Sequence, residues 1–160
     1  MAADCSAMAR AGDTVENPVT GERIEFLRTA ADTGGALLEM EDVWPRPGQR
    51  TPPHVHPEME ERWHVLSGRA GFQVGDAEER VAGPGETVVA PPGTPHRAWN
   101  ASDGETRVRI EMRPALRWEE FVERLFRAAA EGRVDDTGAP EPELALELLR
   151  EFRREVAPPP

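Results

Sequence analysis

Lysine and tyrosine are absent from these 160 residues, and all 19 basic residues are arginine. Without an amine side chain there is no Schiff-base chemistry, and without a phenol there is no tyrosine acid–base step. Cysteine occurs once, as Cys5, so no disulfide can close within the chain. Serine is confined to Ser6, Ser67 and Ser102, none of them in a nucleophile-elbow setting. No apolar run approaches the ~18 residues of a membrane span. The opening residues lack the apolar core of a secretory signal, so a cytoplasmic location is expected. Positive charge is scarce as well: 30 acidic residues stand against 19 basic ones, for a net charge of −11. Such a chain repels phosphate backbones and anionic lipid surfaces, so neither nucleic acid nor a membrane is an expected partner. Chemistry is left to histidine, carboxylates, arginine or a bound metal.

What is present reads as one domain with an appendage. Residues 1–13 are small and polar and are expected to form a flexible tail. From 14 to 113, short strand-like stretches alternate with Gly, Pro and Asp turns. The stretches are Arg23–Arg28, Leu37–Trp44, Arg62–Leu66, Ala70–Val74, Thr87–Ala90 and Thr106–Met112. In the last, Val108, Ile110 and Met112 alternate with Arg107, Arg109, Glu111 and Arg113, the period-2 mark of a strand with one buried face. Many short strands at close spacing predict an all-β jelly-roll sandwich or barrel. From 114 to 157 the period becomes helical. Trp118, Phe121, Val122, Leu125, Phe126 and Ala129 form one stripe, ended by Gly132. Leu144, Ala145, Leu148, Leu149, Phe152 and Val156 form a second, after Pro140. Residues 158–160 form a proline tail. The first stripe is a large apolar face for so small a barrel, and a homodimer is expected to cover it.

Three of the four histidines fall in two tight clusters. His54 and His56 are two apart, which places both imidazoles on one face of an extended chain. Glu61 follows, and Trp63 and Val65 share its parity. Glu58, Glu60 and His64 have the opposite parity and are expected to face outward. His96 follows Pro95 in the second cluster. Three imidazoles and a carboxylate on strands suit a divalent first-row transition metal.

The two spacings resemble the paired motifs of the cupin superfamily. Gly48, His54, His56, Glu61 and Gly68 fill Gly-x5-His-x-His-x4-Glu-x6-Gly, and Gly85, Pro91, Gly93, His96 and Asn100 fill Gly-x5-Pro-x-Gly-x2-His-x3-Asn. The resemblance implies a double-stranded β-helix with His54, His56, Glu61 and His96 as ligands of one metal: Fe, Mn, Ni, Zn or Cu. Asn100 is read as a structural group or as one that supports the ligands from behind. With the ligand set complete, the metal-free sugar epimerases of the fold are disfavoured, and one barrel is too few for a bicupin oxalate decarboxylase. The leading expectation is an oxygenase, dioxygenase-like, acting on an apolar or aromatic small molecule. The alternatives are a metal-assisted cyclase or isomerase, similar to polyketide cyclases, and a non-catalytic binding module. Glu61, Glu60 and His64 are the candidates for proton transfer. Trp63, Phe72, Trp99, Met112, Met40 and Arg97 are the candidate pocket residues.

Overall fold

Alternation of apolar and polar side chains builds nearly all of this molecule, and the strands follow it closely. The computed structural model describes residues 8–160. Its strands are β1 (Thr14–Glu16), β2 (Arg23–Arg28), β3 (Leu38–Trp44), β4 (Glu60–Ser67), β5 (Ala70–Val74), β6 (Arg80–Ala82), β7 (Thr87–Ala90), β8 (His96–Asn100) and β9 (Thr106–Arg113). The helices are α1 (Ala30–Thr33), α2 (Trp118–Ala130) and α3 (Pro142–Glu151). All strand pairings are antiparallel. A larger sheet runs β1-β2-β3-β9-β4-β7 and a smaller one runs β6-β5-β8. This is the expected all-β double-stranded β-helix with two C-terminal helices.

The inner faces carry Phe26, Leu38, Met40, Trp63, Val65, Phe72, Val108, Ile110 and Met112 in one buried cluster. Two glycines are required by geometry. At Gly68 φ is +73°, and a Cβ would come within 2.7 Å of the Glu105 carbonyl and Thr106 Oγ1. At Gly71 a Cβ would overlap the Trp99 indole, which lies across the strand there. Asn100 is structural, the first of its two readings. Its Nδ2 donates to the Trp44 and Gly104 carbonyls at 2.8 Å, and its Oδ1 accepts from Ser102 N–H and the Thr106 hydroxyl.

Several expectations need correction. Residues 1–7 of the expected flexible tail lie outside the described residues. Met8 is exposed, but the chain from Ala9 to Asp13 is docked: Ala9 joins the core, and Gly12 N–H donates to the Phe26 carbonyl at 2.8 Å. The second helix ends at Glu151, short of its apolar stripe. Phe152 is fully buried, and its carbonyl accepts from both Glu155 and Val156 N–H, which turns the chain toward the barrel. The apolar face of α2 is covered by its own chain. Val122 and Phe126 join the barrel core, while Trp118, Phe121 and Leu125 pack between it and the Leu144–Leu148–Phe152 cluster. Burial of that stripe therefore gives no reason for a homodimer. No helix of the described residues is long and apolar enough to cross a membrane.

One buried polar group stands out. Asp42 faces the core from β3, where Trp44 Nε1–H donates to its Oδ2 at 2.8 Å and the Glu22 carboxyl lies beside it. Burial first, and then the neighbouring Glu22 carboxyl, push Asp42 well above the usual carboxylate range. The folded state therefore holds a proton that the unfolded chain releases at lower pH, so this group's contribution to stability falls as pH rises above the ordinary carboxylate pKa. Asp42→Asn removes that dependence. Thermal unfolding should show the variant gaining on the wild type at neutral pH and losing that advantage near pH 4; parallel pH profiles would refute the assignment.

Candidate metal centre

One extended stretch of chain and two strands bring four side chains together. After β3 the chain runs extended beside β8: Gly48 N–H donates to the Asn100 carbonyl, Thr51 N–H to Ala98, and His54 and His96 exchange both backbone bonds at 3.1 and 2.9 Å. His54 and His56 thus point to the face that His96 shares. Glu61 comes from β4, between Met112 of β9 and Ala90 of β7. The ligating atoms of His54, His56, Glu61 and His96 all lie within 4.8 Å of one another. His56, Glu61 and His96 are buried, and His54 alone is partly open to solvent.

Hydrogen bonds decide which nitrogen each ring presents. The Nδ1 atoms of His54, His56 and His96 face the carbonyls of Pro52 at 2.8 Å, Glu155 at 2.6 Å and Thr94 at 2.9 Å. A carbonyl can only accept, so each Nδ1 carries a proton and each Nε2 is turned to the centre. Two of the anchors are local and share a pattern. Pro53 precedes His54 and Pro95 precedes His96, and a proline keeps the residue before it extended. In both, the carbonyl used belongs to that residue. His56 follows Val55 and takes its anchor from the far end of the chain.

The Nε2 atoms crowd together. His54 Nε2 lies 3.2 Å from His56 Nε2, and Glu61 Oε2 lies 2.9 Å from His56 Nε2 and 3.0 Å from His96 Nε2. Burial would raise the Glu61 pKa, but bonds from His56 and His96 outweigh it and hold the carboxylate ionised, well below its usual range. Burial lowers His96, and the bond to Glu61 more than reverses this, so the ring is raised. His54 is pushed down to about 4, by burial first and then by His56. Three Nε2 lone-pair positions converging on a buried carboxylate are what a divalent transition metal requires, since the cation replaces the ring protons that would otherwise have to face Glu61. The residues fit such an ion.

The other candidates separate cleanly. Trp63 lies 5.4 Å from the His96 ring and 5.1 Å from Phe72, centroid to centroid, in the layer beneath the centre. Met112 is the cross-strand neighbour of Glu61, and Met40 is one layer deeper, opposite Ile110. Trp99 and Arg97 are corrections. They alternate with His96 and Ala98 along β8 and lie on its outer face, where Arg50 and Arg97 sit over the Trp99 ring at 4.7 and 5.7 Å and Arg97 pairs with Glu79. Glu60 and His64 also lie outside the barrel. Glu60 pairs with Arg62, and His64 bonds Thr87 and Glu111 at 2.9 and 3.1 Å, so neither reaches the centre. Trp118, read from sequence as helix packing, stands edge-on to His56 at 4.7 Å. Its helical period concealed this, since the same side chain serves both roles. The Glu155 carbonyl left no mark in the sequence.

Residues 45–112 match the family model of the cupin domain, Cupin_2. Among solved structures, TT1209 from Thermus thermophilus is 25% identical at a TM-score of 0.53, the alignment covering 69% of this chain and 94% of that one. A predicted oxalate decarboxylase from Thermotoga maritima is 18% identical at 0.54, covering 71% and 99%. KdgF from Halomonas sp. is 21% identical at 0.52, covering 59% and 81%. The last two show the fold alone. No curated protein matches the chain.

In metal-free protein His54 should therefore remain neutral until the pH falls to about 4. Ring-nitrogen NMR across an acid titration checks this, and a His54 midpoint near the ordinary histidine value would contradict it.

Proposed function

The chain carries a domain of the cupin superfamily, and from that premise we propose that it is a metal-dependent oxygenase acting on an apolar or aromatic small molecule. The observation that carries the reading is the convergence of three imidazole Nε2 atoms on Glu61, with every Nδ1 fixed on a backbone carbonyl. His54, His56, Glu61 and His96 would hold one ion. A divalent transition metal held by four protein ligands supplies a Lewis-acidic, redox-capable centre with positions left for small molecules.

The residues around the centre have separable tasks. Trp63, Met112 and Trp118 present hydrocarbon and indole edges, which suit an apolar substrate and keep water from the buried ligands. His54, the one ligand open to solvent, marks the side from which a substrate enters. Glu60 and His64 are engaged outside the barrel, so proton transfer at the centre falls to Glu61. As a metal ligand, the Glu61 carboxylate would share its electrons with the cation and be a weak base, which favours oxygenase chemistry over the cyclase or isomerase alternative. Any homodimer would form through strand edges, β1 and β7 closing the ends of the larger sheet.

Elemental analysis should find one transition-metal ion per chain in the wild type and in Glu60→Gln, and little in His56→Ala, His96→Ala or Glu61→Ala. Metal content indifferent to these three substitutions would remove the ligand assignment. With flavonoids, catechols and diketones as substrates, the Fe(II)-loaded protein should consume oxygen in step with product. Equal turnover with Zn(II) and no oxygen uptake would replace the oxygenase by the cyclase or isomerase, and binding without turnover would leave a carrier. Light scattering tests the dimer, which the mass of a single chain would end.

A further inference from the structure

His56 is tied to the end of the chain by the residues on either side of it. Val55 and Ala157 exchange both backbone hydrogen bonds, each at 2.9 Å. His56 Nδ1–H donates to the Glu155 carbonyl at 2.6 Å. Arg154 forms a two-pronged pair with Glu58, Nε to Oε2 at 2.8 Å and a terminal nitrogen to Oε1 at 3.0 Å. Three of four successive residues of the ligand stretch are thus matched by three of four successive residues of the C-terminal segment. The segment is itself anchored. Phe152 is fully buried against Phe121, and the Glu155 carboxylate, itself buried, accepts from Arg117 N–H at 3.1 Å. Arg117 immediately precedes Trp118, whose ring closes on His56 from the other side.

The contrast with the other two histidines gives these contacts a purpose. His54 and His96 each find an acceptor two residues back, on a carbonyl whose direction the intervening proline helps to set. His56 has no such local acceptor. We infer that the segment Phe152–Ala157 is a positioning strap, which supplies the missing acceptor and so selects the ring nitrogen that His56 turns toward the centre. Detached, His56 can rotate or exchange its proton between nitrogens, and one of the four ligating atoms is no longer preset. The inference rests on the metal-centre reading, and it makes the helical appendage part of the site. Outer partners that orient metal-ligating histidines typically contribute about 10- to 100-fold in metal affinity.

The test uses the full-length chain with Arg154→Ala and Ala157→Pro combined. The first removes the pair with Glu58, and the second removes the N–H that bonds the Val55 carbonyl. Both positions lie outside the buried core, and circular dichroism confirms folding. Three readings are taken: hydrogen exchange at the Val55 amide, the ring-nitrogen spectrum of His56 without metal, and Co(II) affinity by titration. The expected result is faster Val55 exchange, loss of the hydrogen-bonded Nδ1–H signal of His56, and Co(II) binding weakened by about 10- to 100-fold. Faster Val55 exchange with an unchanged His56 spectrum and unchanged Co(II) affinity would overturn the strap. Unaltered protection at Val55 would also overturn it, because those bonds would then not be holding the segment. Should the double variant fail to fold, Arg154→Ala alone is read the same way, and wild-type values throughout would count against the inference. A wild type that takes up no Co(II) would instead end the metal reading, while the His56 spectrum would still decide the strap.

Discussion

A proton on each of three Nδ1 atoms is the constraint on which the site depends. An imidazole offers two nitrogens, and a metal centre needs the same one from every ring at once. Here three carbonyl oxygens, of Pro52, Thr94 and Glu155, make that choice before any ion arrives. Carbonyls are well suited to this, because they accept and never donate, whereas a hydroxyl or amide partner could leave the tautomer undecided. The backbone must in turn be held. For Pro52 and Thr94 the following proline and the pairing with β8 do so, and for Glu155 it is the buried Phe152 turn. The barrel, the two extended stretches and the helical appendage each contribute one of these acceptors or the framework that directs it.

Strand parity was the most informative feature of the sequence, because the side-chain period in a strand is two and leaves no intermediate orientation. It separates Glu61 from Glu60, and the fold places the first inside and the second against Arg62. It also places Trp63 inside and His64 outside. The same rule, applied to β8, puts Arg97 and Trp99 on the face opposite His96, so reading them as pocket residues went against a pattern already visible. Trp99 is a large aromatic three residues from a ligand in the chain. Its real partners are Arg50, Arg97 and the bare backbone at Gly71.

Other features could not be read in this way. The strands β1 and β6 are three residues each and give no alternation long enough to count, and the turn after Glu151 lacks the glycine or proline that usually announces one. The apolar stripe continued through Phe152 and Val156 and so suggested a longer helix. Those two residues are buried as expected, but by a chain that has left the helix and turned to meet Val55. Burial periodicity reports which residues go inside, and it is blind to a change of backbone path that keeps the same residues there.

The same blindness applies to the apolar stripe of α2, which in sequence reads as a dimer surface. An apolar stripe on a helix states that something must cover it, and the sequence around it does not state what. In this chain the cover is shared by the barrel and by α3, with Trp118 and Phe121 stacked at 4.6 Å between them. The consequence reaches the chemistry. Trp118 is held on one side by packing that the helix needs in any case, and on the other it meets His56. A side chain that seals the helix therefore also walls the candidate metal centre, and stability of the appendage and order at the site become one quantity. A barrel of this kind without the two helices would lose the Glu155 carbonyl, the Trp118 ring and the Arg154 pair together, leaving His54 and His96 anchored and His56 free.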